Sequence, residues 1–324
     1  MQDAGMSLAT LLARLAMAAA PADTSPPSPG QIAQSAPASE WMAIPADEML
    51  VMTLAPAAGQ TEPRRVVIQL VPSPLSNGWV ANIRRLAAAH WWDGTSVNRV
   101  QDNYVAQWGD ATEKKPLPPG LRTMTPSDYT LAWRTLAAAS PKSLDPLTAR
   151  GKKGRVADVY APHVTWYRDF PIATDAAPVA SRRVWPIHCY GSVGVGRNLA
   201  PDAGSGAELY AVIGHAPRHL DRNIAVVGRV IEGIEQLSSL PRGTGDLGFY
   251  EQPAERATIM SVRLASELPA AERPHFAYLS TSGTTWSRYV AARQNREPPF
   301  FEQPAGAADV CNIPVPVRVE PANR

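Results

Sequence analysis

The stretch Trp92-Asp-Gly-Thr-Ser-Val-Asn-Arg-Val-Gln-Asp-Asn-Tyr-Val-Ala-Gln-Trp-Gly-Asp110 reads as strand from Thr95 to Trp108. Immediately before it, Ser76 to His90 carries Trp79, Ile83, Leu86 and His90 at helical spacing, with Ser76 or Asn77 available as N-cap. Further upstream, Glu48 to Leu54 and Arg65 to Leu70 are short runs of aliphatic and β-branched residues. Gly59 and Pro63 lie between these runs, so they read as a hairpin with a longer loop. Downstream, from Gly191 to Val230, short apolar runs alternate with Gly-rich turns. A second short helix fits Ile231 to Leu240, through Ile231, Ile234 and Leu237, and a strand fits Ala257 to Leu264. Two short helices among many separated short strands point to a mainly β chain, an antiparallel barrel rather than a βαβ fold.

Composition bounds the rest. The chain has 324 residues, 45% of them hydrophobic and 19% charged, with a net charge of +2. That length supports one large domain or two ordinary ones with a sizeable core. The 32 prolines are about twice the usual share, which implies many turns and long connections. The near-zero net charge argues against a broad nucleic-acid footprint. The densest basic cluster, Gly151-Lys-Lys-Gly-Arg155, reads as a solvated loop. No run reaches the roughly 18 uninterrupted apolar residues of a membrane span.

At the N-terminus, Met6 to Ala22 resembles a signal-peptide core with A-x-A-type cleavage sites. Asp3 and Arg14 leave a short N-terminal helix open as the alternative. Residues 23–40 are rich in Pro, Ser and Ala without an apolar period and read as an extended, solvated linker. Residues 41–267 then form the barrel domain, interrupted by a Pro-rich insertion at 111–187. That insertion is expected to run irregularly over the surface, with one helix at Ser127 to Ala139. Residues 268–324 form a C-terminal extension. Trp286, Tyr289 and Val290 suit a helix face there, and Cys311 to Arg318 reads as a Pro-blocked edge segment.

In two places the sequence resembles the cyclophilin family of peptidyl-prolyl isomerases. Val80-Ala-Asn-Ile83 and the quoted stretch Trp92–Asp110 resemble the family's helix followed by Y-x-G-x-x-F-H-R-V and G-F-x-x-Q-G-G-D. Gly194-Val-Gly196, Gly206–Ile213 and His219–Gly233 resemble G-x-x-x-M-A, S-Q-F-F-I and L-D-G-x-x-T-V-F-G-x-V-x-x-G. The resemblance covers roughly 48–110 and 190–265. It implies a closed antiparallel β-barrel with two flanking helices, plus a long insertion and the C-terminal extension. It also implies prolyl cis/trans isomerisation on X-Pro segments of client polypeptides, without a cofactor.

By this resemblance, Arg99 stands at the catalytic arginine. Tyr104, Val105, Tyr210 and Leu220 stand at the walls and floor of the proline pocket, and Gln107 at its glutamine. Gly196 and Arg197 fall near the backbone ledge that pairs with the substrate. The chain departs from the pattern at Val97-Asn98 for Phe-His, at Glu208 for a pocket glutamine, at His219 for Trp or Phe, and at Ile224 for His or Tyr. The resemblance implies that Glu208, His219 and Ile224 are substrate-binding positions. The departures bear on rate and sequence preference rather than on fold.

The chemistry suits these residue types. The X-Pro barrier of about 18–20 kcal/mol is amide resonance, so nothing has to be attacked or hydrolysed. An apolar slot for the ring and a fixed guanidinium near the prolyl nitrogen would favour the twisted, non-resonant state. Taken alone, Arg99 would be a surface ion-pair residue, and Tyr104 and Tyr210 core aromatics. Glu208 suits either a charge-tuning role or a solvated turn. A non-catalytic module that clamps Pro peptides is the alternative that the changes at 98, 208, 219 and 224 favour. A structural role using the insertion and tail as interaction surfaces is the other alternative. His215 and His219 lack zinc-ligand companions, and Gly194-Val-Gly196 lacks a dinucleotide-binding context. Cys189 and Cys311 are the only cysteines. An oxidising compartment, periplasmic or extracellular, would permit one disulfide between them, while their separation in the fold is not given by the sequence, and in the cytosol they would be two inert thiols.

Overall fold

Eight antiparallel strands close on one another: β1 (Met49–Leu54), β2 (Arg64–Leu70), β3 (Ser96–Val100), β4 (Val105–Gly109), β5 (Ser192–Val195), β6 (Leu209–Val212), β7 (Val226–Glu232) and β8 (Ala257–Leu264). The order around the barrel is β5-β6-β4-β3-β8-β1-β2-β7, with β7 returning to β5. The computed structural model describes residues 25–140, 147–148, 156–299 and 301–321. The proposed signal segment at 1–22 and the basic cluster at 151–155 lie outside these residues. Among the described residues the α-helices are α1 (Pro29–Gln34), α2 (Asn77–Ala88), α3 (Trp133–Ala139), α4 (Glu235–Ser238) and α5 (Thr284–Gln294).

Closure removes the exposed strand edges that an open sheet would present. Strand alternation then sorts the side chains. Leu50, Met52 and Leu54 of β1, Ala106 and Trp108 of β4, and Leu209 and Ala211 of β6 belong to the barrel core. Trp79, Ile83 and Leu86 bring α2 into the same core, as the spacing in Ser76–His90 predicts. α2 ends at Ala88, and His90, expected on its apolar face, is exposed beyond it. Ser76 precedes the helix, but its hydroxyl donates to the Val226 carbonyl instead of capping it.

The opposite faces of β1 and β2 are also buried. Met49, Val51 and Val67 join a second core with Val164, Trp166, Trp185, Phe276, Leu279, Trp286 and Ile313. Three segments expected to lie loosely around the barrel build this second core. Residues 23–40 are not wholly a solvated linker. Ser28 and Gln31 form a capping box that starts α1, and Ile32, Ala33 and Ala36 are buried. The insertion at 111–187 is not irregular surface chain. Residues 131–132, 183–186, 170–174, 163–167 and 147–148 form a five-stranded sheet in that order. Tyr167, Phe170, Ile172 and Val184 from this sheet pack into the barrel core, while Val164, Trp166, Ala173 and Trp185 pack into the second. Burial on both faces overcomes the breaks that the many prolines impose. The expected helix at Ser127–Ala139 is a 3-10 turn at Pro126–Tyr129, a short strand, and then α3. The helix expected at Ile231–Leu240 shrinks to α4, because Ile231 and Glu232 belong to β7.

The C-terminal extension supplies α5, with Trp286 and Tyr289 buried as expected. It also supplies strands 276–279 and 317–319, which flank one another in a three-stranded sheet completed by Trp41–Ala43. Cys189 and Cys311 are joined by a disulfide across 122 positions, with Cα atoms 5.2 Å apart. Arg168 pairs with Glu48 at 2.8 Å and Arg229 with Asp169 at 2.6 Å, so charges as well as apolar contacts tie the insertion to the barrel.

Candidate active site

β3 and β4 pair with an irregularity that decides where Arg99 points. Val97 faces Trp108, Arg99 faces Gln107 and Val100 faces Ala106, leaving Asn98 as an extra residue. Such a bulge turns two consecutive side chains toward one face. Asn98 and Arg99 both line a groove of about 640 Å³ on the outside of the barrel.

The Arg99 guanidinium is held on three sides. Its Nε donates to the Leu247 carbonyl at 2.7 Å, Nη1 donates to Gln107 Oε1 at 3.1 Å, and Nη2 donates to Gln101 Oε1. Its Cζ lies 5.7 Å from the Tyr104 ring centroid and 5.3 Å from that of Phe249. Three of the five N–H donors are therefore engaged, leaving one on each terminal nitrogen. Burial lowers the Arg99 pKa from its ordinary value, yet a guanidinium stays charged across the working pH range.

Beside Arg99 lies a small apolar cluster separate from the barrel core. Val105, Tyr210 and Val212 form its buried part, with Tyr104, Leu220 and Ile224 packed against them. β4 and β6 are neighbours with Tyr210 opposite Gln107, so alternation delivers Val105, Gln107, Tyr210 and Val212 to the same outer face. Gly194 lets the Tyr210 ring lie flat on β5, since an added Cβ there would sit 2.3 Å from Cζ and Oη.

Glu208 lies at the other end of Gln107. Its Oε1 accepts the Asp110 backbone N–H at 2.8 Å and sits against Gly109, where an added Cβ would be 1.9 Å away. Burial drives its carboxyl up to about 7, against hydrogen bonds from Asp110, Gln107 and Asn98 that pull it down. Gln107 thus accepts from Arg99 through its Oε1 and adds to the groups that favour the charged form of Glu208. Gly196 pairs with the Glu208 backbone, donating its N–H to that carbonyl at 2.8 Å.

The structure brings Arg99, Tyr104, Val105, Gln107, Gly196, Arg197, Glu208, Tyr210 and Ile224 to one groove. Leu220 joins through the apolar cluster. Arg197 spends two donors on the Asn223 and Asn198 carbonyls. His219 stands apart as an exposed ring stacked on Tyr104, centroids 6.4 Å apart. Sequence reasoning missed Gln101, Leu247 and Phe249, which cage Arg99. Gln101 adjoins the motif, while Leu247 and Phe249 arrive on the loop after Arg242, whose glycines signal only a turn. It also missed His188, which touches the back of Tyr210 and has no spacing signal at all.

Residues 60–264 match the family described as cyclophilin type peptidyl-prolyl cis-trans isomerase/CLD. The chain belongs to the cyclophilin family. A 75-residue stretch is 39% identical to the peptidyl-prolyl cis-trans isomerase CYP23 of Arabidopsis thaliana. That stretch is 23% of this chain and 32% of the plant protein, so the match spans about a third of that curated relative. The crystal structure of cyclophilin AquaCyp293 from Hirschia baltica aligns with a TM-score of 0.64 at 22% identity, covering 88% of this chain and 95% of that one. This coverage exceeds the 60–264 stretch, so the shared cyclophilin fold takes in further parts of the chain. No helix among the described residues is long and apolar enough to cross a membrane.

Proposed function

We propose that this cyclophilin catalyses cis/trans isomerisation of X-Pro bonds, with Arg99 as the catalytic residue, during folding of proteins outside the cytoplasm. The observation that carries the catalytic reading is the Arg99 guanidinium, immobilised by three carbonyl-type acceptors at the edge of the apolar cluster. A pyrrolidine ring packed on Val105, Tyr210 and Leu220 would bring its imide nitrogen toward the free N–H groups. As the C–N bond twists, resonance is lost and the nitrogen lone pair localises. A donor fixed in advance binds that twisted state better than either planar isomer, which is the condition for lowering the barrier. The extracytoplasmic part of the proposal is supported by the signal-like stretch at 6–22 and by the Cys189–Cys311 pair, since disulfides persist in oxidising compartments.

The test is exchange between proline isomers of a short Ala-Pro peptide, followed by NMR with the full chain. The wild-type chain is expected to accelerate exchange, and a folded Arg99→Ala to lose about a hundredfold to a thousandfold of that acceleration. Binding of the peptide without acceleration would instead make the groove a proline-peptide clamp, the reading that Glu208 and Asn98 beside Arg99 would then favour. Cell fractionation of the native producer tests the compartment, and a purely cytoplasmic pool would overturn it.

A further inference from the structure

The back of the pocket wall is polar and closed to solvent. Tyr210 is buried, and its Oη lies 2.9 Å from Nε2 of His188, which is fully buried. His188 Nδ1 is 2.9 Å from Asp221 Oδ1, and the same oxygen accepts the His188 backbone N–H at 3.0 Å. Asp221 Oδ2 accepts Arg218 Nε–H at 2.7 Å. The Arg218 guanidinium in turn pairs with Asp158 and lies over the Tyr160 ring, 5.2 Å to the centroid. Asp158 is fixed by the N–H groups of Tyr160 and Ala161, each at 2.8 Å.

The proton positions follow from the partners. A carboxylate only accepts, so the His188 proton sits on Nδ1 and Nε2 is left to accept the Tyr210 O–H. Burial holds the Tyr210 phenol well above its ordinary range, which keeps that proton available to donate. A buried hydroxyl without a partner is costly, so the acceptor on His188 adds a directional constraint to the packing of the ring.

We infer that His188 is a positioning residue of the prolyl pocket: by holding the Tyr210 hydroxyl it sets the depth and tilt of the ring on which proline packs, and the inserted segment backs this support through Asp158 and Tyr160, with His188 immediately after its C-terminal end. The inference rests on the proline-groove reading above, and it gives the insertion a role behind the groove rather than over it. His188 does not touch Arg99, so its effect falls on peptide binding and not on the twisting step.

The experiment compares wild type, His188→Leu and His188→Gln, each also in a Tyr210→Phe background. It measures Ala-Pro peptide affinity by NMR titration and exchange at saturating peptide. His188→Leu is expected to weaken binding about tenfold while the exchange rate at saturation stays within about twofold, a split that general loosening would not produce. His188→Gln, whose amide oxygen still accepts the hydroxyl, is expected to restore most of the affinity. In the Tyr210→Phe background the His188→Leu change should cost no more than about twofold, because the hydroxyl it serves is gone. Unchanged affinity in folded His188→Leu overturns the inference, as does an equal loss in both backgrounds. Should His188→Leu fail to fold, His188→Gln and the wild-type ring decide it, because long-range ¹⁵N correlation showing the proton on Nε2 contradicts the assigned bond. A wild type that binds but does not catalyse removes the isomerase reading and leaves this inference to be judged on affinity. A wild type that does not bind overturns both.

Discussion

Burial places the Glu208 carboxyl at about 7, well above its ordinary 4.5, and this has a definite sign for stability. Below about 4.5 both folded and unfolded chains hold the proton, and the group contributes no pH dependence. Between about 4.5 and 7 only the folded chain holds it, so stability falls as pH rises, and above 7 the full penalty is present. The shift corresponds to about 3 kcal/mol, of which about 2 kcal/mol develops between pH 5 and pH 8. Glu208→Gln keeps an acceptor for the Asp110 N–H and removes the ionisation. Its stability advantage over wild type should therefore grow by about 2 kcal/mol from pH 5 to pH 8 in urea denaturation. Parallel pH profiles for the two proteins would show that Glu208 is not the buried acid described. At this scale Val105, Gln107 and Tyr210 were legible through the family resemblance, and strand alternation accounts for their shared face. The cage around Arg99 was not, because Leu247 and Phe249 come from a loop whose path no local periodicity records.

Elements were readable in proportion to how much of their burial is encoded locally. β1, β2 and β8 are near-continuous apolar or alternating runs, and the expected limits for β8 coincide with those observed. α2 has three turns, enough for an apolar period to show. α1 has six residues, fewer than two turns, and such a helix is marginal without tertiary support. Its support is α5, more than two hundred residues away in sequence, so Pro29–Gln34 looked like linker. Ile32, 5% exposed, is the main anchor in that contact. Ile32→Ala should weaken the docking by about 2 kcal/mol and speed amide exchange over residues 29–36 about thirtyfold. Barrel-strand amides that open only with the whole molecule should speed up by no more than this factor, and those that exchange by local fluctuation should not change. Hydrogen-exchange mass spectrometry showing no local change would mean that α1 is held by something other than this side chain. The sheet within the insertion was hidden for a related reason. Its strands are short, separated by prolines, and apolar on both faces, so neither a period of two nor a clean boundary appears.

For the whole molecule, the consequence is that barrel and added segments do not form independent bodies. β1 and β2 contribute one face to each core, and the inserted sheet does the same from the other side. Unfolding either core strips apolar cover from the other, which predicts a single cooperative transition seen alike by tryptophan fluorescence and far-UV circular dichroism. The Cys189–Cys311 bond closes a loop of 122 positions. Chain-entropy reasoning gives such a closure about 5 kcal/mol as an upper value, reduced by any residual structure in the unfolded chain. The double substitution Cys189→Ser, Cys311→Ser should therefore lose about 3–5 kcal/mol and unfold at lower temperature, while keeping the single transition. Reductant should lower the wild-type transition toward that of the variant and leave the variant unmoved. Two separated transitions in the variant would show that the disulfide, not the shared strands, couples the cores. An unchanged melting temperature would show that the tether spans parts already fixed in the unfolded ensemble.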